Sequence, residues 1–251
     1  MIEKQMALNN LIYKIRIGST MYGTLTEISD EDIGGIFIPD KEYVLGTKRC
    51  EQVELSEKIS KTVRNQKGDT DYVVYSLSKF IQLAIGNNPN IIEFFYAPEH
   101  CIIFKNELAE ELITNRDLFL SKKAYHTFKG YSYAQRRKLE VKRGNLTGRM
   151  ELVNEFGYDT KFAGHLIRLL YECLQILIEK NVTFPLPQNN LIRDIKLGRY
   201  SLDWILEEAK RLENLIDLAY VNSDLQYTAD FEEINKLQIK LLEDFWRKKE
   251  K

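Results

Sequence analysis

Residues 18–38 read GSTMYGTLTEISDEDIGGIFI, and the seven residues before them, Leu11 to Ile17, read LIYKIRI. The first seven alternate apolar and basic side chains, the period-2 signature of a half-buried strand. Gly18-Ser19 breaks that strand, and a Gly/Thr/Ser-rich connection runs to Asp30. A second strand follows over Asp32 to Ile38 (DIGGIFI), stopped by Pro39-Asp40. Asp30 and Asp32 are two residues apart, so on extended backbone both carboxylates point to one face. A third acid, Asp71, opens another strand, DYVVY, whose β-branched and aromatic residues suit a central position. Three carboxylates on neighbouring strand ends can hold two Mg²⁺ ions roughly 3.5–4 Å apart, the clamp used for in-line phosphoryl chemistry. Hard oxygen ligands are what this site offers, and they suit Mg²⁺. Gly18 would let backbone approach a phosphate, and Ser19 could donate to it.

Outward from this stretch the chain changes character. Gln52 to Lys58 is a third strand candidate, and a helix starts at Ser76 and ends at Gly86 (SLSKFIQLAIG). Beyond about residue 105 the periodicity is helical: Asn106–Asn115, Leu118–Val141, Thr160–Lys180, Asn189–Leu197, Ser201–Val221 and Asp230–Arg247. Asp230 with Glu233 resembles a capping box, and Gly198 suits a helix C-terminus. The expected division is an α/β core over 1–104 and a helical domain over 105–251, an α+β protein.

Composition narrows the function classes. The 251 residues are 44% hydrophobic and 29% charged, which excludes wholesale disorder. Thirty-six Lys+Arg against 37 Asp+Glu leave a formal charge of −1, so no global field advertises nucleic acid. Cys50, Cys101 and Cys173 are odd in number and show no CxxC spacing, which fits a reducing compartment rather than a disulfide framework. The most apolar stretch, Leu166 to Ile178, is too short to span a bilayer and is interrupted by Arg168 and Glu172. A cytoplasmic protein without a membrane partner is expected. Helical amphipathicity reports burial without saying against which chain, so oligomeric state is not legible.

Taken singly, each piece of the acidic constellation has an ordinary reading. A lone DxD is commonly a solvated turn, Gly-Ser after a strand is a common turn, and Asp69 competes with Asp71 for the third position. In order, however, Gly18-Ser19, Tyr22-Gly23, Ser29-Asp30, Asp32 and Gly35 resemble the signature of the DNA polymerase beta superfamily. More narrowly, they resemble the nucleotidyltransferases of bacteria, bacteriophages and RNA-repair gene clusters. The resemblance continues through DYVVYSLSKFIQLAIGNNPNIIEFF (71–95) and returns at KFAGHLIRLL (161–170) and DIKLGRYS (194–201). One departure is Gly34, where that family often carries a basic residue. The resemblance implies a mixed-sheet, polymerase-beta-like domain followed by a helical half. It also implies that Asp30 and Asp32 bind both metals, with Asp71 the third ligand, easing deprotonation of the acceptor hydroxyl.

Two features of the helical half bear on substrates. Lys161, His165, Arg168 and Glu172 fall at i, i+4, i+7 and i+11, one polar stripe on an otherwise apolar helix. Such a row is costly to bury without an anionic partner, and an NTP triphosphate is one; the competing reading is a solvated stripe with an Arg168–Glu172 pair. Between Ser121 and Arg149 stand nine Lys/Arg and one acid, with Tyr125, Phe128, Tyr131 and Tyr133 interleaved. Lys129, Arg136, Arg137, Lys138, Lys142 and Arg143 are the candidate nucleic-acid contacts, and an RNA end, such as that of a tRNA, is the favoured acceptor. A protein side chain as acceptor, and a non-catalytic nucleic-acid-binding scaffold, are the alternatives.

Overall fold

The computed structural model describes residues 2–26, 30–56, 70–141 and 150–250. Along the chain run α1 (Ile2–Asn9), β1 (Leu11–Ile17), α2 (Ser19–Tyr22), β2 (Glu31–Phe37), α3 (Lys41–Val44), β3 (Gln52–Glu54), β4 (Thr70–Ser76), α4 (Leu77–Ile85), α5 (Pro89–Ile92), β5 (Ile102–Lys105) and α6 (Glu107–Thr114). There follow α7 (Lys123–Val141), α8 (Met150–Phe156), α9 (Thr160–Glu179), α10 (Asn189–Lys196), α11 (Leu202–Asn222) and α12 (Phe231–Lys249). The chain forms two compact units. The first comprises Met1–Gly86, Asn90–Phe119 and Ala229–Lys251, and the second Asn87–Pro89 and Leu120–Thr228. The sequence suggested a single break after residue 104; the observed division is discontinuous because α12 belongs to the first unit.

The first unit is built on a five-stranded mixed sheet of order β3-β4-β2-β1-β5. β2 and β4 are parallel; the other neighbours are antiparallel. One face buries Ile33, Phe37, Tyr72 and Val74 against Met6 and Ala7 of α1. The other face meets an aromatic wall, in which Phe80 of α4 packs on Phe94 at 5.5 Å between ring centroids and Phe94 on Tyr75 at 6.3 Å. Each such ring stabilises the unit by about 1.5–3 kcal/mol on leaving water. α4 begins where Ser76 accepts a hydrogen bond from the Lys79 amide, and α12 where Asp230 accepts from that of Glu233. At the far end of α12 the Trp246 indole donates to the Pro39 carbonyl at 3.0 Å. That bond anchors the helix to the turn after β2.

In the second unit α9 is the central helix, packed against α7, α10 and α11. Leu166, Leu169, Cys173 and Ile176 on it are wholly buried. Asp159 caps its start by accepting from the Lys161 and Phe162 amides, and Lys180 ends it in the left-handed region. The helix expected from Leu118 starts only at Lys123, preceded by a short 3₁₀ turn at Arg116–Leu118. The short helix α8 was not expected; its Phe156 ring fills the space left by Gly198, where a Cβ would lie 2.1 Å from that ring. All three cysteines are buried free thiols. Among the described residues no helix is long and apolar enough to cross a membrane.

Candidate active site

Parallel pairing of β2 with β4 brings two acids together that lie far apart in sequence. Asp32 stands directly opposite Asp71, while Ile17 flanks Asp32 on the β1 side. Asp30 precedes β2 by one residue. Asp30, Asp32 and Asp71 each offer a carboxylate oxygen, and the three lie within 4.8 Å of one another. All three residues are half-buried. At such spacing each pair of charges repels by about 3–4 kcal/mol for an effective dielectric near 20. A divalent cation removes that repulsion, and an all-oxygen donor set fits a hard ion such as Mg²⁺. Asp69 and Ser29 lie outside the described residues.

Gly18 owes its identity to this cluster. Its φ of 65° and ψ of −139° lie in a region reserved for glycine, and a Cβ there would sit 2.3 Å from Asp32 Oδ2. The chain then makes one helical turn. The Tyr22 amide donates to the Gly18 carbonyl at 3.0 Å, and Gly23 leaves the turn in the left-handed region. Ser19 opens this turn and is half-buried. The Tyr22 hydroxyl donates to Glu93 Oε2 at 2.5 Å, with both residues buried. Set among apolar residues, the Glu93 carboxylate finds a partner in this phenol, 71 residues away in sequence.

Gly34, the departure from the family pattern, has a packing reason. A Cβ there would lie 2.3 Å from Phe94 Cζ, so the aromatic ring occupies the space a side chain would need. The wall is held from β1 as well, because the buried Tyr13 hydroxyl donates to the Phe94 carbonyl at 3.1 Å. Burial pushes the ionisation of that phenol well above its ordinary value. The strand that carries Asp32 is thus packed against the aromatic wall at Gly34.

In the second unit the polar stripe of α9 is a buried network. Arg168 Nη1 donates to both oxygens of Glu172, at 2.8 and 3.0 Å, and the Arg168 and Glu172 side chains are 4% and 2% exposed. Arg168 Nη2 lies 2.9 Å from His165 Nε2. Guanidinium only donates, so that imidazole nitrogen accepts and the ring carries its proton on Nδ1. Burial pushes the Glu172 carboxyl up, against the opposing pull of Arg168. The solvated version of the pair is thus corrected to a desolvated one, with Lys161 and His165 half-buried beside it.

The basic segment is partly answered within its own unit. Lys129 pairs with Asp217 at 2.6 Å and Arg136 with Glu213 at 3.1 Å, both acids on α11. Lys138 lies over the Phe162 ring at 4.8 Å, and Arg137 is exposed. Lys142 and Arg143 lie outside the described residues. Of the interleaved aromatics, Phe128 is core, Tyr131 accepts from the Asn88 amide group, and Tyr133 is exposed.

The family model described as the RNA repair pathway DNA polymerase beta family (RlaP) matches residues 1–247. A 38.9 kDa protein from the nrdC–mobD intergenic region of Enterobacteria phage T4 is 27% identical over 139 residues, 54% of this chain and 40% of that protein. The protein MJ0002 of Methanocaldococcus jannaschii is 27% identical over 121 residues, 48% of this chain and 46% of its own. The matched stretch thus spans less than half the length of either relative. Among solved structures, a nucleotidyltransferase-like protein from Exiguobacterium sibiricum 255-15 is similar at 16% identity and a TM-score of 0.32, covering 99% of this chain and 89% of the other. The spectinomycin adenyltransferase AAD(9) of Enterococcus faecialis is similar at 12% identity and a TM-score of 0.38, covering 97% of both chains. With the family model matched over all but the last few residues, the chain belongs to the RNA repair pathway DNA polymerase beta family.

Proposed function

We propose that this chain transfers a nucleoside monophosphate from an NTP to a hydroxyl at an RNA end, such as that of a tRNA, in a Mg²⁺-dependent reaction. The observation that carries the reading is the Asp30, Asp32 and Asp71 cluster, its oxygens within 4.8 Å, in a chain of this family. Asp30 and Asp32 would hold two cations with Asp71 as the third ligand, and Asp71 would take the proton of the acceptor hydroxyl. The acceptor oxygen then bonds to the α-phosphorus, the bond to the bridging oxygen of the β-phosphate breaks, and pyrophosphate leaves with that electron pair. When bound, the cations neutralise charge gathering on the phosphoryl oxygens, the main catalytic term in such transfers.

Gly18 and Ser19 are assigned on chemistry to the nucleotide phosphates, and Lys161, His165 and Arg168, within the second unit, to an anionic partner. Glu172 already answers much of the Arg168 charge, so Arg168 serves chiefly by holding the His165 ring. Lys129, Arg136, Arg137, Lys138, Lys142 and Arg143 are assigned to the RNA backbone. The intramolecular pair of Arg136 implies that Glu213 on α11 exchanges places with a phosphate on binding.

The test is incubation with Mg²⁺, each α-labelled NTP in turn, and total tRNA or a protein extract, beside an Asp30→Ala/Asp32→Ala variant. Label on RNA that the variant fails to add supports the reading. Label on protein moves the acceptor to a side chain, and label that persists in the variant overturns the metal assignment.

A further inference from the structure

We infer that the second unit carries a stacking platform for single-stranded RNA, built from Tyr125 and His126 of α7, Tyr220 of α11, Tyr227 and Lys122. The inference rests on the RNA-acceptor reading and says where the strand is gripped. Tyr125 and Tyr220 pack at 4.3 Å between centroids, tilted by 30°. His126 stands edge-on to both, at 4.9 Å from Tyr125 and 5.8 Å from Tyr220. The Lys122 ammonium lies over two rings, 5.6 Å from the centroid of Tyr220 and 5.1 Å from that of Tyr227. The segment bearing Tyr227 is fixed here because the Lys122 amide donates to the Gln226 carbonyl at 2.8 Å.

Three properties point to a nucleic acid strand. First, two of the rings are on display: Tyr227 is 73% exposed and His126 is exposed, while Tyr125 and Tyr220 are half-buried. A large ring left in water forgoes its burial energy, and a base stacked on it recovers that energy whatever the base's identity. Second, the platform is prearranged. Asp217 accepts from the Tyr125 hydroxyl at 2.9 Å and from Lys129, whose ammonium also lies 4.7 Å from the Tyr125 centroid. Third, the local charge favours phosphate. Lys129 and Lys180 pair with Asp217 and Asp224, and Lys122, whose charge also acts on Asp224, makes no direct ion pair among the described residues. Cations against aromatic faces are what a strand with stacked bases and outward phosphates requires. A duplex, whose bases are already stacked, gains nothing from the rings.

The experiment is fluorescence anisotropy with a labelled single-stranded oligoadenylate and with the same strand annealed into a duplex. Wild type is compared with Tyr227→Ala and Lys122→Gln, with circular dichroism verifying the fold. Wild type should bind the single strand more tightly than the duplex. Tyr227→Ala should weaken single-strand binding by about fivefold or more, the low end for loss of one stacked base. Lys122→Gln should reduce the slope of log affinity against log salt by about 0.7, the value for one phosphate contact on a single strand. Tight wild-type binding that neither substitution alters, or equal affinity for strand and duplex, would overturn the platform and leave the RNA reading standing. Failure of wild type to bind either RNA would remove both.

Discussion

The carboxylate of Asp32 occupies the space that Gly18 leaves by having no side chain: a Cβ on Gly18 would stand 2.3 Å from Asp32 Oδ2. The first glycine of the motif is therefore a packing partner of an acid in the carboxylate cluster, as well as a turn residue with φ of 65°. Gly18→Ala should displace Asp32 and strain the turn. Transfer is expected to fall about a hundredfold, the scale of a 1 Å misplacement, and stability by about 1–3 kcal/mol. Steady-state kinetics and thermal melts on one preparation check both.

Mg²⁺ should act on stability as well as on rate. Ligands that bind only the folded state raise its stability with concentration, so the melting temperature of wild type should climb as Mg²⁺ is added. Asp32→Asn should be at least as stable as wild type in chelator, because it relieves repulsion among the three acids, and should respond little to Mg²⁺. A variant that keeps the full Mg²⁺ response would place the cation elsewhere.

Tyr22 and Glu93 offer a test that separates hydrogen bonding from charge. Tyr22→Phe takes the phenol donor from a buried carboxylate and should cost about 1–3 kcal/mol. Glu93→Gln keeps an acceptor for the Tyr22 hydroxyl and should cost less. Denaturant melts of both variants give the comparison; equal losses would mean that the bond contributes little.

The Lys129–Asp217 pair predicts a small pH effect with a definite sign. Hydrogen bonding from Lys129 holds the Asp217 carboxyl below its ordinary value of 3.8. A depressed folded-state value means that the contribution is present above 3.8 and is lost as pH falls through the lower, folded value. Asp217→Asn should cost about 0.2–1 kcal/mol at neutral pH, as for exposed pairs generally. The difference from wild type should close in acid, which melts at neutral and low pH would show.

Much of this architecture is legible in the sequence because its signals are local. Period-2 alternation marks β1, and β-branched and aromatic runs mark β2 and β4; caps at Ser76, Ser201 and Asp230 mark helix starts. What the sequence leaves out is set by tertiary contact. β5 is a four-residue edge strand with two exposed apolar side chains, so its pattern is weak. α1 buries only Met6 and Ala7 and shows little amphipathicity. The spacing of Asp30 and Asp32 announces a shared face. That Asp71 stands opposite Asp32 depends on parallel register, which no spacing encodes. The burial of Arg168 with Glu172 is likewise invisible in an i, i+4 pair that would look the same on a wet helix face.

The order of segments in the first unit has a topological consequence. The Asp230 amide donates to the Leu118 carbonyl at 3.1 Å, so the chain re-enters this unit beside the place where it left. Almost the whole second unit, Leu120–Thr228, is thus a cassette hung on a closed doorway rather than a bead on a string. Residues 120–228 are therefore an insertion in chain order between two adjoining points of the first unit, and α12 continues that unit after them.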